Sequence, residues 1–258
     1  MPFGDETLPL CLSQQILKNN IMKLQVLIFF CMVPILMGCK IKNMTIHHSD
    51  ASYKEKSSSN LDEVSLDPIY FGNPSFEDDK CAHSTIPNKW TICRNRESPP
   101  DIQSNYQKYF KVSTNASEGQ NFVGMVVRDN STVEHIAQKL AVPLKTNTPY
   151  EFHVDLSISP ELVSLSRSTL SEENFNEPTI LRVWGSNDIC TDYENEQLLY
   201  QTTRIDHYDW REYEIQFIPD NDYDYIILEA FYDEEMRMPP YNGNLMIDNL
   251  SPIRRMSE

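Results

Sequence analysis

Tyr150-Glu151-Phe152-His153-Val154-Asp155-Leu156-Ser157-Ile158 decides the fold class. Apolar side chains stand at every second position without a break, the period of a strand with one face in a core and the other on water or a ligand. A helix would need them three and four residues apart. The same reading extends outward from this run. Phe122 to Arg128 (FVGMVVR), Thr179 to Trp184 (TILRVW), Tyr213 to Ile218, Tyr225 to Phe231 and Leu245 to Leu250 are short segments rich in β-branched and aromatic residues, hence strands. Tyr109 to Ser113 is a weaker example. Val133 to Leu140 fits a helical stripe through Val133, Ile136 and Leu140 or a strand through Ile136, Gln138 and Leu140, and its neighbours favour the strand. Prolines at 99–100, 143, 149, 160, 178, 219 and 239–240 separate these runs. Short strands so punctuated predict an all-β domain built as a β-sandwich. Pro160 to Pro178, Ser-rich and without a period, reads as an elaborated loop.

Charge narrows the partners. The 258 residues carry 38 acidic and 22 basic side chains, a formal net charge of -16, which repels a polyanion, so no nucleic-acid partner is expected. Most of the excess is local: 18 acidic residues lie between Ser171 and Glu235 against Arg182, Arg204 and Arg211. A solvated acidic face accounts for this more simply than a cation-collecting rim. With 7 Gly against 16 Pro, and no GxGxxG, Walker loop, GxSxG or HExxH, the motif-bearing enzyme classes are disfavoured and a non-catalytic protein is expected. Asp220-Asn221-Asp222-Tyr223-Asp224 begins like an EF-hand loop, but Tyr225 and Phe231 occupy the places of its Gly and Glu, so it reads as an acidic turn.

The amino-terminal part is a leader. From Met22, taken as the true start, one Lys precedes an apolar stretch from Leu24 to Gly38, too short to span a bilayer and shaped as a signal peptide. Leu36-Met37-Gly38-Cys39 resembles the bacterial lipobox, whose Cys is acylated after cleavage before it. The resemblance implies a lipidated Cys39 and an outer-membrane lipoprotein, since several acyl chains on one residue anchor lastingly. The leaflet stays open. The chain then divides into a leader at 1–38, the lipidated Cys and a flexible tether at 39–68, the sandwich at 69–254 and a tail at 255–258. In an oxidising compartment Cys81, Cys93 and Cys190 remain, and one of them has no intrachain mate. Cys81 with Cys93 is the simplest disulfide; Cys93 with Cys190 is the alternative.

Charges that interrupt apolar runs are the candidate binding residues. Arg182 and Trp184 share one face of their strand, Arg128 ends another, and Glu229 lies between Leu228 and Ala230. Two readings stand. One is an internal Arg–Glu ion pair with a core Trp. The other is a sheet face where the Trp184 indole stacks on a sugar ring while Arg128, Arg182 and Glu229 hold its hydroxyls.

Asn73-Pro74-Ser75-Phe76-Glu77, Pro87-Asn88-Lys89-Trp90 and Asn244-Leu245-Met246-Ile247-Asp248-Asn249-Leu250-Ser251 resemble the two ends of a carbohydrate-binding-module type jelly roll of the galactose-binding-like fold. Pro99-Pro100-Asp101-Ile102-Gln103, Gly124 to Arg128, Leu181 to Gly185 and Tyr241 to Asn244 are similar to uncharacterised lipoproteins of gliding, polysaccharide-using Gram-negative bacteria. The resemblance implies a jelly-roll sandwich and a glycan partner at the cell envelope, and it implies a structural Ca2+ held by Glu77 and Asp248 where the chain's ends meet. The alternative function is an adaptor that docks another envelope protein, and a glycoside-active enzyme comes third.

Overall fold

The computed structural model describes residues 67–78, 83–92, 99–188, 196–235 and 238–256. Cys39, the tether up to residue 66, Cys81, Cys93 and Cys190 lie outside them, and with them the lipidation and both disulfide alternatives. The described residues hold no helix and twelve strands: β1 (Asp101–Ser104), β2 (Asn121–Val127), β3 (His135–Leu144), β4 (Tyr150–Ser157), β5 (Val163–Leu165), β6 (Glu172–Asn174), β7 (Thr179–Ser186), β8 (Glu196–Gln201), β9 (Arg211–Phe217), β10 (Tyr223–Tyr232), β11 (Gly243–Asp248) and β12 (Arg254–Arg255). One sheet runs β1-β2-β11-β4-β12 with β9 also on β4, and a second runs β3-β10-β7-β8. Neighbours in both are antiparallel, and the ends of the sandwich meet where Ile69 bridges Ile253. This is the all-β jelly-roll sandwich that the sequence predicts.

Period two builds the core between the sheets. Phe152, Val154 and Leu156 of β4 meet Val123, Met125 and Val127 of β2 and Leu245 and Ile247 of β11 on one side, with Leu181, Val183, Ile226, Leu228 and Ile136 on the other. Each such side chain, fully buried, contributes about 1.5–3 kcal/mol. A second, smaller core lies on the opposite side of the six-stranded sheet, where Phe122, Val126 and Met246 pack against Val112, Leu162 and Phe175. The sheet's central strands β2 and β11 are therefore buried along their whole length. That double burial explains why FVGMVV reads as a continuous apolar run instead of an alternation.

The second core also corrects two expectations. Residues 109–113 form no strand: Phe110 and Lys111 hold φ of 57° and 63°, a left-handed backbone that no strand accepts. The segment instead accepts Val163 N on Phe110 O at 2.8 Å and helps to cover the sheet. The loop from 160 to 178 contains the β5–β6 hairpin. β1 and β8, which the sequence did not disclose, are edge strands: DIQS has a single apolar side chain, and EQLLYQ breaks period with a bulge opposite Val183 and Trp184.

Candidate functional site

The four-stranded sheet turns Ile226, Leu228 and Ala230 to the core, so the alternate residues of β10 face outward, and register then sets their neighbours. One row across the sheet is His135–Glu229–Arg182–Gln201. The next is Ala137–Ile227–Trp184–Leu198, and the third Lys139–Tyr225–Ser186–Glu196. An apolar row with Trp184 in it thus runs between two rows that carry polar side chains. Trp184 is half-buried, and its Nε1 donates to Glu229 Oε2 at 2.9 Å. That bond occupies the indole N–H. Arg182 lays its guanidinium 3.4 Å from the centroid of the Phe231 ring and donates from Nε to Gln201 Oε1 at 2.8 Å. Stacking and hydrogen bond together hold a long cation in one orientation. Lys139 lies 5.7 Å over the Tyr225 ring on the third row. Beside Trp184, Gly185 is required by close approach: a Cβ there would fall 2.6 Å from the Tyr223 ring.

The structure gathers Arg182, Trp184 and Glu229 but changes the role of Glu229. Its side chain is fully buried, and its carboxylate accepts from the indole beside it and so positions the ring. Arg128 joins none of them. It follows β2 in the other sheet, where it pairs with Glu134, and both side chains are more than nine-tenths buried. Glu134 Oε2 accepts from Val126 N at 3.0 Å, and Tyr232 donates its hydroxyl to Arg128 O at 2.5 Å. Burial pushes the Tyr232 hydroxyl up to about 12. The internal Arg–Glu pair is thus realised with Glu134 as the partner. Asp101, which borders the same small cavity of about 210 Å³, is pushed up to about 6 by burial, against the hydrogen bond from Ser84 N.

Glu77 and Asp248 do reach one loop, through its amides. Glu77 Oε1 accepts from Gln120 N and Asn121 N at 2.6 and 2.8 Å; Asp248 Oδ2 accepts from Ser117 N and Glu118 N at 2.8 and 3.0 Å, and its Oδ1 from Asn249 N at 2.8 Å. Gly119, at φ 63°, lets the loop turn against Glu77, where a Cβ would fall 2.3 Å from Oε1. Ca2+ needs six to eight oxygens. Here five N–H groups turn their positive ends on the carboxylates, and among the described residues no three His, Cys, Asp or Glu side chains gather to hold a metal. This donor set does not fit the expected ion; backbone amides offset part of the cost of burying the Asp248 charge. Burial still outweighs them, and the Asp248 carboxyl is pushed up to about 7.

Gln201, Lys139 and Tyr225 belong to the site and were not singled out from the sequence, because only cross-strand register places them beside Trp184. No family model matches the sequence, and no curated protein matches it. Among solved structures, it is similar to the K2 cleaved adhesin domain of Lys-gingipain (12% identity, 72% of this chain and 97% of that one, TM-score 0.43). It is similar also to the CBM22-1 xylan-binding domain of Paenibacillus barcinonensis Xyn10C (12% identity, 71% and 92%, TM-score 0.40). A third is the C-terminal family 22 carbohydrate binding module of Clostridium thermocellum Xyn10B (14% identity, 70% and 91%, TM-score 0.38). At TM-scores below 0.5 these likenesses fix neither a ligand nor a site in this chain.

Proposed function

We propose that the protein is an envelope lipoprotein, anchored in the outer membrane through Cys39, that binds a glycan on the outer face of its four-stranded sheet without acting on it chemically. The anchor rests on the apolar leader and Leu36-Met37-Gly38-Cys39. The binding role rests on one observation: Trp184 is held half-open on a sheet face by Glu229, between two rows of hydrogen-bonding side chains. A sugar ring offers an apolar face of C–H groups rimmed by hydroxyls. The indole meets the first, and Arg182 and Gln201 on one side, with Lys139 on the other, meet the second.

Affinity electrophoresis through soluble polysaccharides tests the binding. Trp184→Ala should lose about 1 kcal/mol or more of binding energy, at least roughly fivefold, with little change in melting. A variant that unfolds, or a wild type that no polysaccharide retards, overturns the reading. For the anchor, the wild type expressed in a Gram-negative host should incorporate labelled fatty acid and Cys39→Ser should not; an unlabelled wild type overturns it.

A further inference from the structure

Beyond the outer face of the four-stranded sheet, the opposite side of the molecule carries a second aromatic surface. The loop at 206–210 between β8 and β9 and the segment at 113–116 frame an open trough of about 350 Å³, lined by Tyr208, Asp209, Trp210, Pro160, Ser113 and Thr114. Tyr208 is 56% exposed and Trp210 half-buried. Trp210 stands edge-to-face on Phe122 of the second core, 5.5 Å between centroids, and its Nε1 donates to Asn115 O at 2.7 Å. Like Trp184, it has its N–H occupied.

Both walls are held. The buried His207 bonds Asp209 O through Nδ1 at 2.7 Å and the Tyr213 hydroxyl through Nε2 at 2.8 Å. A carbonyl only accepts, so Nδ1 carries the proton and Nε2 accepts from Tyr213. This clamp fixes the turn that bears Tyr208 and Trp210, and Ile158 N ties it to the sheet through His207 O at 3.0 Å. Opposite, Lys108 Nζ donates to Ser113 O and Asn115 Oδ1 at 2.7 and 2.6 Å, and Asn105 Oδ1 accepts from Ala116 N at 2.8 Å. A turn and an indole held this firmly lose little further freedom when a ligand settles on them.

We infer that this trough is a second saccharide-binding site, taking an uncharged sugar segment that stacks on Tyr208 and Trp210. The rim selects the chemistry. The hydroxyls of Ser113 and Thr114 both donate and accept, as sugar hydroxyls do, and the Asp209 carboxylate accepts from them. A proline-rich peptide would present carbonyls, which the carboxylate repels. An anionic glycan would meet Asp209 while Lys108, the nearby cation, is committed to Ser113 and Asn115. The two sites lie on opposite faces of the sandwich and act independently, so one molecule can join two chains or two segments of one chain.

The full chain and its Tyr208→Ala, Trp210→Phe and Trp184→Ala variants are compared by affinity electrophoresis in soluble xylan, mannan and β-1,3-glucan, with melting curves alongside. At least one polysaccharide should retard the wild type, Tyr208→Ala should weaken retention about five- to tenfold at unchanged melting, and its combination with Trp184→Ala should weaken it beyond either. Retention of both Tyr208→Ala and Trp210→Phe equal to wild type overturns the trough, even if Trp184→Ala is impaired and the outer face stands. Loss in Tyr208→Ala with Trp184→Ala unimpaired supports the trough and removes the outer face. A wild type retarded by none of the three overturns both sites, and capture of polyproline in place of any polysaccharide overturns the saccharide reading.

Discussion

Arg128 and Arg182 hold like places in the sequence, each a cation set against a run of apolar strand residues, and folding sends them to opposite surroundings. Arg128 leaves the end of β2 into a space between the six-stranded sheet and its covering loops, where Glu134 meets it away from water. Arg182 stands within β7 on the outward side of the other sheet, spread over Phe231 and half open to solvent. The same guanidinium is buried against a carboxylate in one place and laid on an aromatic ring at an outer sheet face in the other. What separates them is the layer that covers the strand, and no property of the strand's own residues carries that information.

The sharpest way to break this comparison is Glu134→Gln. It leaves Arg128 buried without its counter-charge and should cost about 3–5 kcal/mol in urea unfolding, with the outer face still assembled in whatever remains folded. A loss under about 1 kcal/mol would make Arg128 as dispensable to the fold as Arg182 is expected to be.

The acid beside that pair supplies the next effect. Asp101 titrates near 6 in the folded protein, above the usual carboxylate value of about 4. The folded state therefore holds its proton where the unfolded state has released it, and stability present below about pH 4 is lost as pH rises through 6. Asp248, near 7, acts with the same sign and extends the decline. Asp101→Asn should flatten the part between pH 4 and 6, on the order of 2–3 kcal/mol, in melting curves taken across that range. A slope unchanged by the substitution would remove Asp101 from the account.

Arg182→Met sharpens the contrast from the other side. It should change stability by less than about 1 kcal/mol and weaken glycan retention about fivefold, the reverse of Glu134→Gln. Smallest of all is Glu229→Gln, whose side-chain oxygen still accepts the Trp184 N–H; retention should stay within about twofold of wild type, whereas Glu229→Leu should lose it along with the indole's orientation. Equal losses in the two would mean that the charge at 229, and not its hydrogen bond, serves the ligand.

Strand identity was legible because it is local. The alternation from Tyr150 to Ile158, the runs at β2, β7, β10 and β11, and the shared face of Arg182 and Trp184 follow from period two, and with them the all-β class and most of the core. The burial of Glu229 beside Trp184, the gathering of Gln201, Lys139 and Tyr225 around the indole, and the amides that occupy Glu77 and Asp248 were decided by register and by covering loops. These bring together residues tens to more than a hundred positions apart. A strand's pattern reports which way each side chain points; its neighbours across the sheet, and the layer above it, exist only once the sheets have paired.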